Sequence, residues 1–150
     1  MRGWLLDTNV VSELARPKAD ARVMDWLRTL PPERTFISIL TVAEIGQGIE
    51  ALGPADPRRQ VYGRFRDRLE VDFAGRVVPV GDDVVRLWGD LSGRYRAGFG
   101  GRAPVIDALL AATALHHRLH LATRNLRDVV RLGASAFSPW DGDSTQYPLS

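Results

Sequence analysis

Cysteine is absent from the 150-residue chain. No disulfide, thiolate metal site or cysteine nucleophile can therefore form, and the composition fits a reducing compartment such as the cytoplasm. Lysine is almost absent as well: of 20 basic residues only Lys18 is not arginine. No apolar run approaches the roughly 20 residues that a membrane-spanning helix needs. The opening Met1-Arg2-Gly3-Trp4-Leu5-Leu6-Asp7 meets a carboxylate too early for a secretory signal core, so a cytoplasmic protein is expected. There is no internal repeat and no low-complexity tract.

What is present describes one ordinary globular domain, 45% hydrophobic and 25% charged. The formal charge is only +2, yet the sequence pI is about 9.5 because the cations are arginines. Arginine pairs bidentately with phosphate. Biased codon usage yields the same composition, and charge alone does not separate the two explanations.

Apolar periodicity outlines alternating strands and helices. Strands are expected at Trp4–Leu6, Phe36–Ile39, Val77–Val80, Leu119–Ala122 and Ala136–Phe137. Helices are expected at Val10–Ala15, Asp20–Leu30, Thr41–Leu52, Arg58–Leu69, Asp83–Tyr95, Val105–His117 and Leu126–Arg131. A glycine-rich loop is expected over Ala97–Ala103, and a polar, loosely held tail from Asp141. Strands alternating with helices imply a parallel sheet in an α/β fold.

Four acidic positions then need an account. Asp7 follows the first strand, where an aspartate commonly caps a helix. Thr41-Val42-Ala43-Glu44 fits a capping box. Asp107 sits in the first turn of a helix, where the dipole favours an acid. In Thr123-Arg124-Asn125-Leu126-Arg127-Asp128, Asn125 is a candidate N-cap and Asp128 the acid that answers it. Each has an ordinary role singly. Together they follow or flank strand ends, which in an open parallel sheet form the ligand crevice. Several carboxylates in one crevice repel one another unless a cation holds them, and oxygen-only donors suit Mg²⁺ or Mn²⁺. Thr8, Asn9, Thr41 and Thr123 are candidates to orient these acids.

Other chemistries fit less well. His116, His117 and His120 crowd a helix end, where a surface or dipole role is expected. The run Gly98-Phe99-Gly100-Gly101-Arg102-Ala103 imitates a dinucleotide fingerprint but follows a helix instead of a strand. With Arg94, Arg96 and Arg102 nearby, that loop is a candidate RNA contact, as is Arg124. Trp4, Trp26, Trp88 and Trp140 are read as core.

The quoted segments resemble the PIN-domain toxins of the VapC family, in particular the FitB-like group. The resemblance is carried by Leu5-Leu6-Asp7-Thr8-Asn9-Val10-Val11-Ser12-Glu13, by Ser38–Ile45 with Gly48, by Ile106–Ala114, and by Ala122-Thr123-Arg124-Asn125 with Asp128. Phe137-Ser138-Pro139-Trp140 is similar to the group's closing segment. The resemblance implies a three-layer α/β/α PIN domain over residues 1–140, followed by the tail 141–150. It implies that Asp7, Glu44 and Asp107 form a catalytic, metal-binding core, with Asn125 or Asp128 at a fourth position where Asn125 departs from the acidic pattern. It further implies Mg²⁺- or Mn²⁺-dependent hydrolysis of RNA, a homodimer and a cognate antitoxin. Two alternatives follow from the same residues. A degenerate PIN domain would bind RNA or protein without cutting, which neutral Asn125 favours and three intact acids oppose. A Mg²⁺ phosphatase of the haloacid-dehalogenase type needs a second aspartate two residues after the first, where Asn9 stands.

Overall fold

The computed structural model describes residues 1–150. Five strands, β1 (Trp4–Leu6), β2 (Thr35–Ser38), β3 (Val77–Val78), β4 (His120–Ala122) and β5 (Ala136–Phe137), form one sheet in the order β3-β2-β1-β4-β5. Every neighbouring pair is parallel; Leu5 sits beside Phe36 on one side and Leu121 on the other. Seven helices connect them: α1 (Thr8–Val11), α2 (Ala21–Thr29), α3 (Ile39–Glu50), α4 (Arg58–Asp72), α5 (Asp82–Phe99), α6 (Val105–His117) and α7 (Leu126–Arg131). The chain winds from β1 outward through β2 to β3, then returns to lay β4 on the other side of β1. The strand order therefore reverses between β1 and β4, the place where sheets of this kind bind ligands.

Side chains alternate faces along a strand, and here the alternation builds two cores. Leu5, Leu121 and Phe36 pack with α5, α6 and α7 through Leu91, Leu110, Ala111 and Val129. Trp4, Leu6, Ile37 and Phe137 pack on the opposite face with Val10, Val23, Trp26, Leu69 and Trp140. Both faces of the sheet are covered, so a strand such as Trp4-Leu5-Leu6 reads as a continuous apolar run: β1 and β4 are buried at every residue. The result is the expected three-layer α/β/α sandwich.

Local structure departs from expectation where tertiary contacts intervene. The Val10–Ala15 helix is instead α1 followed by a 3₁₀ turn at Ser12–Ala15. The third helix begins at Ile39, not Thr41, because the Ser38 side chain caps it by accepting from Leu40 N. The fifth helix runs on to Phe99, its last turn packed by the Tyr95 and Phe99 rings, tilted against each other with centroids 5.1 Å apart. Gly100 ends it in the left-handed conformation, φ 76°. The glycine loop is correspondingly shorter, and Arg94 and Arg96 lie on α5.

The tail also differs from the loosely held segment expected. Trp26 Nε1 donates to Ser144 Oγ at 3.0 Å, and the Tyr147 hydroxyl donates to Ala136 O at 2.9 Å. The Tyr147 ring joins Trp4 and Phe137 at 5.8 and 5.4 Å. His120 is not at the surface: it is buried in β4, with Nδ1 2.7 Å from Ser135 Oγ and Nε2 3.0 Å from Pro148 O. A polar sequence is tied down by a few aromatic and hydrogen-bonding anchors.

Candidate active site

Asp7 leaves β1 at the point where the strand order reverses. Its extended backbone makes it the N-cap of α1, and its Oδ1 accepts from Thr8 N at 2.6 Å. That is the ordinary role foreseen for it, but it accounts for only one oxygen. Oδ2 accepts from the buried Thr123 hydroxyl at 2.6 Å and from Asn9 Nδ2 at 3.2 Å. Thr123 follows β4, so this bond ties the two strands on either side of the reversal. Asn9 is fixed in turn, its Oδ1 accepting from Arg124 N at 3.3 Å. Asp7 is buried, and burial raises its pKa above the ordinary value, the Thr123 and Thr8 bonds opposing and Glu44 adding to the rise.

Glu44 is not part of a capping box. Ser38 performs the capping, and Glu44, one turn into α3, turns toward α1, where its Oε1 accepts from the Thr8 hydroxyl at 2.6 Å. Thr8 Oγ1 also lies 3.0 Å from the fully buried Thr41 Oγ1. A hydroxyl has one hydrogen. Thr8 gives it to the carboxylate, and Thr41 turns its own toward Thr8. All four polar residues proposed to orient the acids thus lie in one network around Asp7 and Glu44.

Asp107 stands in the first turn of α6, half-buried. Burial first, then the charges of Asp7, Asp128 and Glu44, push its pKa up from 3.8 to about 6. Four acids from four different elements therefore share one electrostatic environment. Asp128 does not cap α7 from within: its Oδ1 accepts from the Tyr95 hydroxyl at 2.6 Å, across from α5. Asn125 makes no side-chain cap bond either; its backbone N–H donates to Thr123 Oγ1 at 3.1 Å.

Two openings adjoin these residues. One, of about 510 Å³, is lined by Asp107, Asn125 and Asp128 together with Arg124 and Arg127. Arg124 lies over the Trp140 ring, 5.0 Å from its centroid, and Trp140 is buried as expected of a core residue. The other opening, of about 450 Å³, is a mainly apolar groove between the 3₁₀ turn, α3 and α4; Ala15, Pro17, Ile45, Ile49 and Phe65 line it, and it ends on Thr8 and Glu44. Arg94, Arg96 and Arg102 are exposed and line neither opening. Arg127 and Tyr95 were not singled out by the sequence; an arginine on a short helix and a tyrosine on an apolar helix face carry no distinguishing local signal.

The donor set suits a divalent cation in its chemistry: carboxylate and amide oxygens, with no thiolate and no imidazole among them. A cation would also relieve the mutual repulsion that Asp107 registers. The acids are spaced and do not close into a ready-made set of three around one point. A hard ion that keeps part of its water shell can bridge such spacing.

An oxygen-donor cleft at the strand reversal of an all-parallel α/β/α sheet defines a class of domain suited to phosphate esters and hard cations. The comparisons make the class specific: the PIN domain pattern matches residues 4–133, and the chain belongs to the PIN domain family. It is 33% identical over 136 residues to toxin FitB of Neisseria gonorrhoeae, covering 91% of this chain and 97% of that protein. It is 35% identical over 141 residues to VapC ribonuclease Y4jK of Sinorhizobium fredii, covering 91% and 97%. Among solved structures it superposes on FitAB bound to an IR36 DNA fragment with a TM-score of 0.85 at 31% identity, covering 93% of this chain and 97% of that one. PIN-domain VapC nucleases are generally dependent on a divalent metal.

Proposed function

We propose that this protein is the toxin of a type II toxin–antitoxin pair and acts as an endoribonuclease, hydrolysing RNA phosphodiester bonds with Mg²⁺ or Mn²⁺. The observation that carries the reading is Asp7. It is a buried carboxylate held by Thr8, Asn9 and Thr123 at the strand reversal, sharing one electrostatic environment with Glu44, Asp107 and Asp128, in a chain related to FitB and a VapC ribonuclease. No helix is long and apolar enough to cross a membrane, and the cytoplasm, where RNA is met, is the compartment proposed.

Asp7 and Asp107 would hold the cation, with Glu44 completing the site directly or through water and Asn125 or Asp128 bordering it. When bound, the cation stabilises the charge that builds on the phosphoryl group and makes attack by water easier. The chain's own residues supply position. Thr123 and the Thr8 amide fix both oxygens of Asp7, so its geometry needs no rearrangement when substrate arrives. Thr8 and Thr41 hold Glu44. Arg124, steadied on Trp140, and Arg127 line the same opening as the acids, where a phosphate of the RNA strand can pair with a guanidinium. Neutral Asn125 donates or accepts without adding charge.

One solved structure that this chain resembles, at 25% identity and a TM-score of 0.62, is a member of the VapBC family of toxin–antitoxin systems from Mycobacterium tuberculosis. A cognate antitoxin is accordingly part of the reading. The apolar groove ending on Glu44 is the proposed seat of its inhibitory segment, and a guanidinium carried there would pair with the acids. A homodimer belongs to the same proposal: Phe99, Val105, Ile106 and Val130 are apolar and exposed on α5, α6 and α7.

Purified protein incubated with total RNA and Mg²⁺, with cleavage sites mapped, tests the function. Cutting is expected at defined sites. It should stop in EDTA, and it should be lost in Asp7→Asn, whose folded state is checked by circular dichroism and a thermal melt. Cleavage that persists in EDTA or in Asp7→Asn overturns the mechanism.

A further inference from the structure

We propose that Tyr95 is a positioning residue of the acidic site: its phenol holds the Asp128 carboxylate at the opening beside Asp107, and this contact sets how tightly the site takes a divalent cation. The inference rests on the nuclease reading above and deepens it.

Tyr95 projects from α5 and is 7% exposed. Its hydroxyl donates to Asp128 Oδ1 at 2.6 Å, the range of a charge-assisted O–H···O⁻ bond. The two residues are 33 apart in sequence and belong to different helices. The ring is held independently of the hydroxyl: Phe99 packs against it in a tilted pair at 5.1 Å, and the Arg131 guanidinium of α7 covers Phe99 at 4.6 Å. The phenol is therefore a fixed strut between α5 and α7.

Asp128 has little else to direct it. Its other neighbour is Arg127 Nε at 3.6 Å, from an arginine side chain that is 77% exposed and worth little at such a distance. Only Oδ1 is engaged; Oδ2 accepts no hydrogen bond and belongs to a residue that lines the opening with Asp107 and Asn125. A buried phenol needs an acceptor for stability, and a backbone carbonyl would serve, as Ala136 O serves Tyr147. Here the acceptor is the acid nearest the place where Asn125 brings no charge. Partners that orient a metal-binding carboxylate typically change metal affinity by about 10–100-fold when removed.

The test is calorimetric titration of RNA-free protein with Mn²⁺ and Mg²⁺, alongside thermal melts of each variant. Tyr95→Phe keeps the ring and removes the strut; affinity should fall about tenfold. Asp128→Asn should weaken it at least as much. The double variant should be no weaker than Asp128→Asn alone, because Tyr95 acts through Asp128. Tyr147→Phe loses a comparable hydroxyl bond at the other end of the sheet and should bind metal as the wild type does. Wild-type affinity in Tyr95→Phe, or full additivity with Asp128→Asn, overturns the inference. Should Tyr95→Phe not fold, unchanged affinity in Asp128→Asn alone overturns it. If Asp7→Asn abolishes binding while Tyr95→Phe and Asp128→Asn leave it intact, the nuclease reading stands and this inference falls. If the wild type takes up no divalent cation, the nuclease reading fails first.

Discussion

At Asp107 burial and three neighbouring carboxylates act in the same direction, raising its pKa from 3.8 to about 6. A group whose pKa is higher folded than unfolded binds its proton more tightly in the folded state. Folding is then helped when the acid is protonated, and that help is lost as pH rises from the unfolded value through the folded one. The metal-free protein is therefore expected to lose stability as pH climbs from about 4 to about 6, with no further loss from this group above that. Asp7, whose pKa also rises, adds in the same sense. Melting temperatures measured in EDTA across this range check the slope, and Mg²⁺ at neutral pH should restore what the repulsion removes. Asp107→Asn should flatten the slope, raise the melting temperature of the metal-free protein at neutral pH, and abolish RNA cleavage. A flat profile in the wild type would remove the electrostatic coupling described here. Such a trade, stability given up for a charged site, is a common feature of functional clusters.

Helix ends and helix surfaces carry the next level. The α6 C-terminus is closed by Arg118 in the left-handed region, φ 57° and ψ 50°, where a side chain costs roughly 1–2 kcal/mol relative to glycine. Arg118→Gly should therefore raise the melting temperature by about 2–4 °C for each kcal/mol recovered, which calorimetry can read directly. On α3, Gly48 lines the groove that ends on Glu44, and a Cβ added there meets nothing within 4 Å. Gly48→Leu should keep or slightly improve the helix, since glycine is about 0.8–1 kcal/mol worse than alanine in a helix interior. Its side chain would fill the groove. Affinity for the antitoxin should fall tenfold or more by calorimetry, with Mg²⁺ affinity unchanged; equal antitoxin affinity would move the docking segment elsewhere.

Over the whole molecule, two cores on the two faces of one sheet hold the strand reversal rigid, and the last ten residues take part. Tyr147 packs against Trp4 and Phe137, and Arg34 Nη1 donates to Ser150 O at 2.8 Å. These contacts lie at the amino-terminal edge of the sheet and along β5, away from the acids. Tyr147→Ala should thus cost about 2 kcal/mol of stability while leaving RNA cleavage by the folded protein unchanged. Denaturant unfolding and a cleavage assay at low temperature separate the two effects. A loss of cleavage in protein that is still folded would tie the tail to the site.

Strand–helix alternation, the three-layer class and the acids at strand ends were legible in sequence. Apolar periodicity and turn chemistry are local and survive in one dimension. The ordered acidic motifs carried the family resemblance for the same reason. Tertiary structure alone decided the rest. Thr41 and Glu44 have the spacing of a capping box, yet Ser38 caps the helix, and the freed carboxylate turns to Thr8, 36 residues away. Asp128 has the spacing of a cap acid, yet its bond goes to Tyr95. The polar tail has the composition of a loose end, yet Trp26, Tyr147 and His120 anchor it. In each case the partner lies far away in the sequence. Burial made the choice, because a hydrogen bond inside the packed fold is costly to leave unmade and only the packing determines which groups are inside.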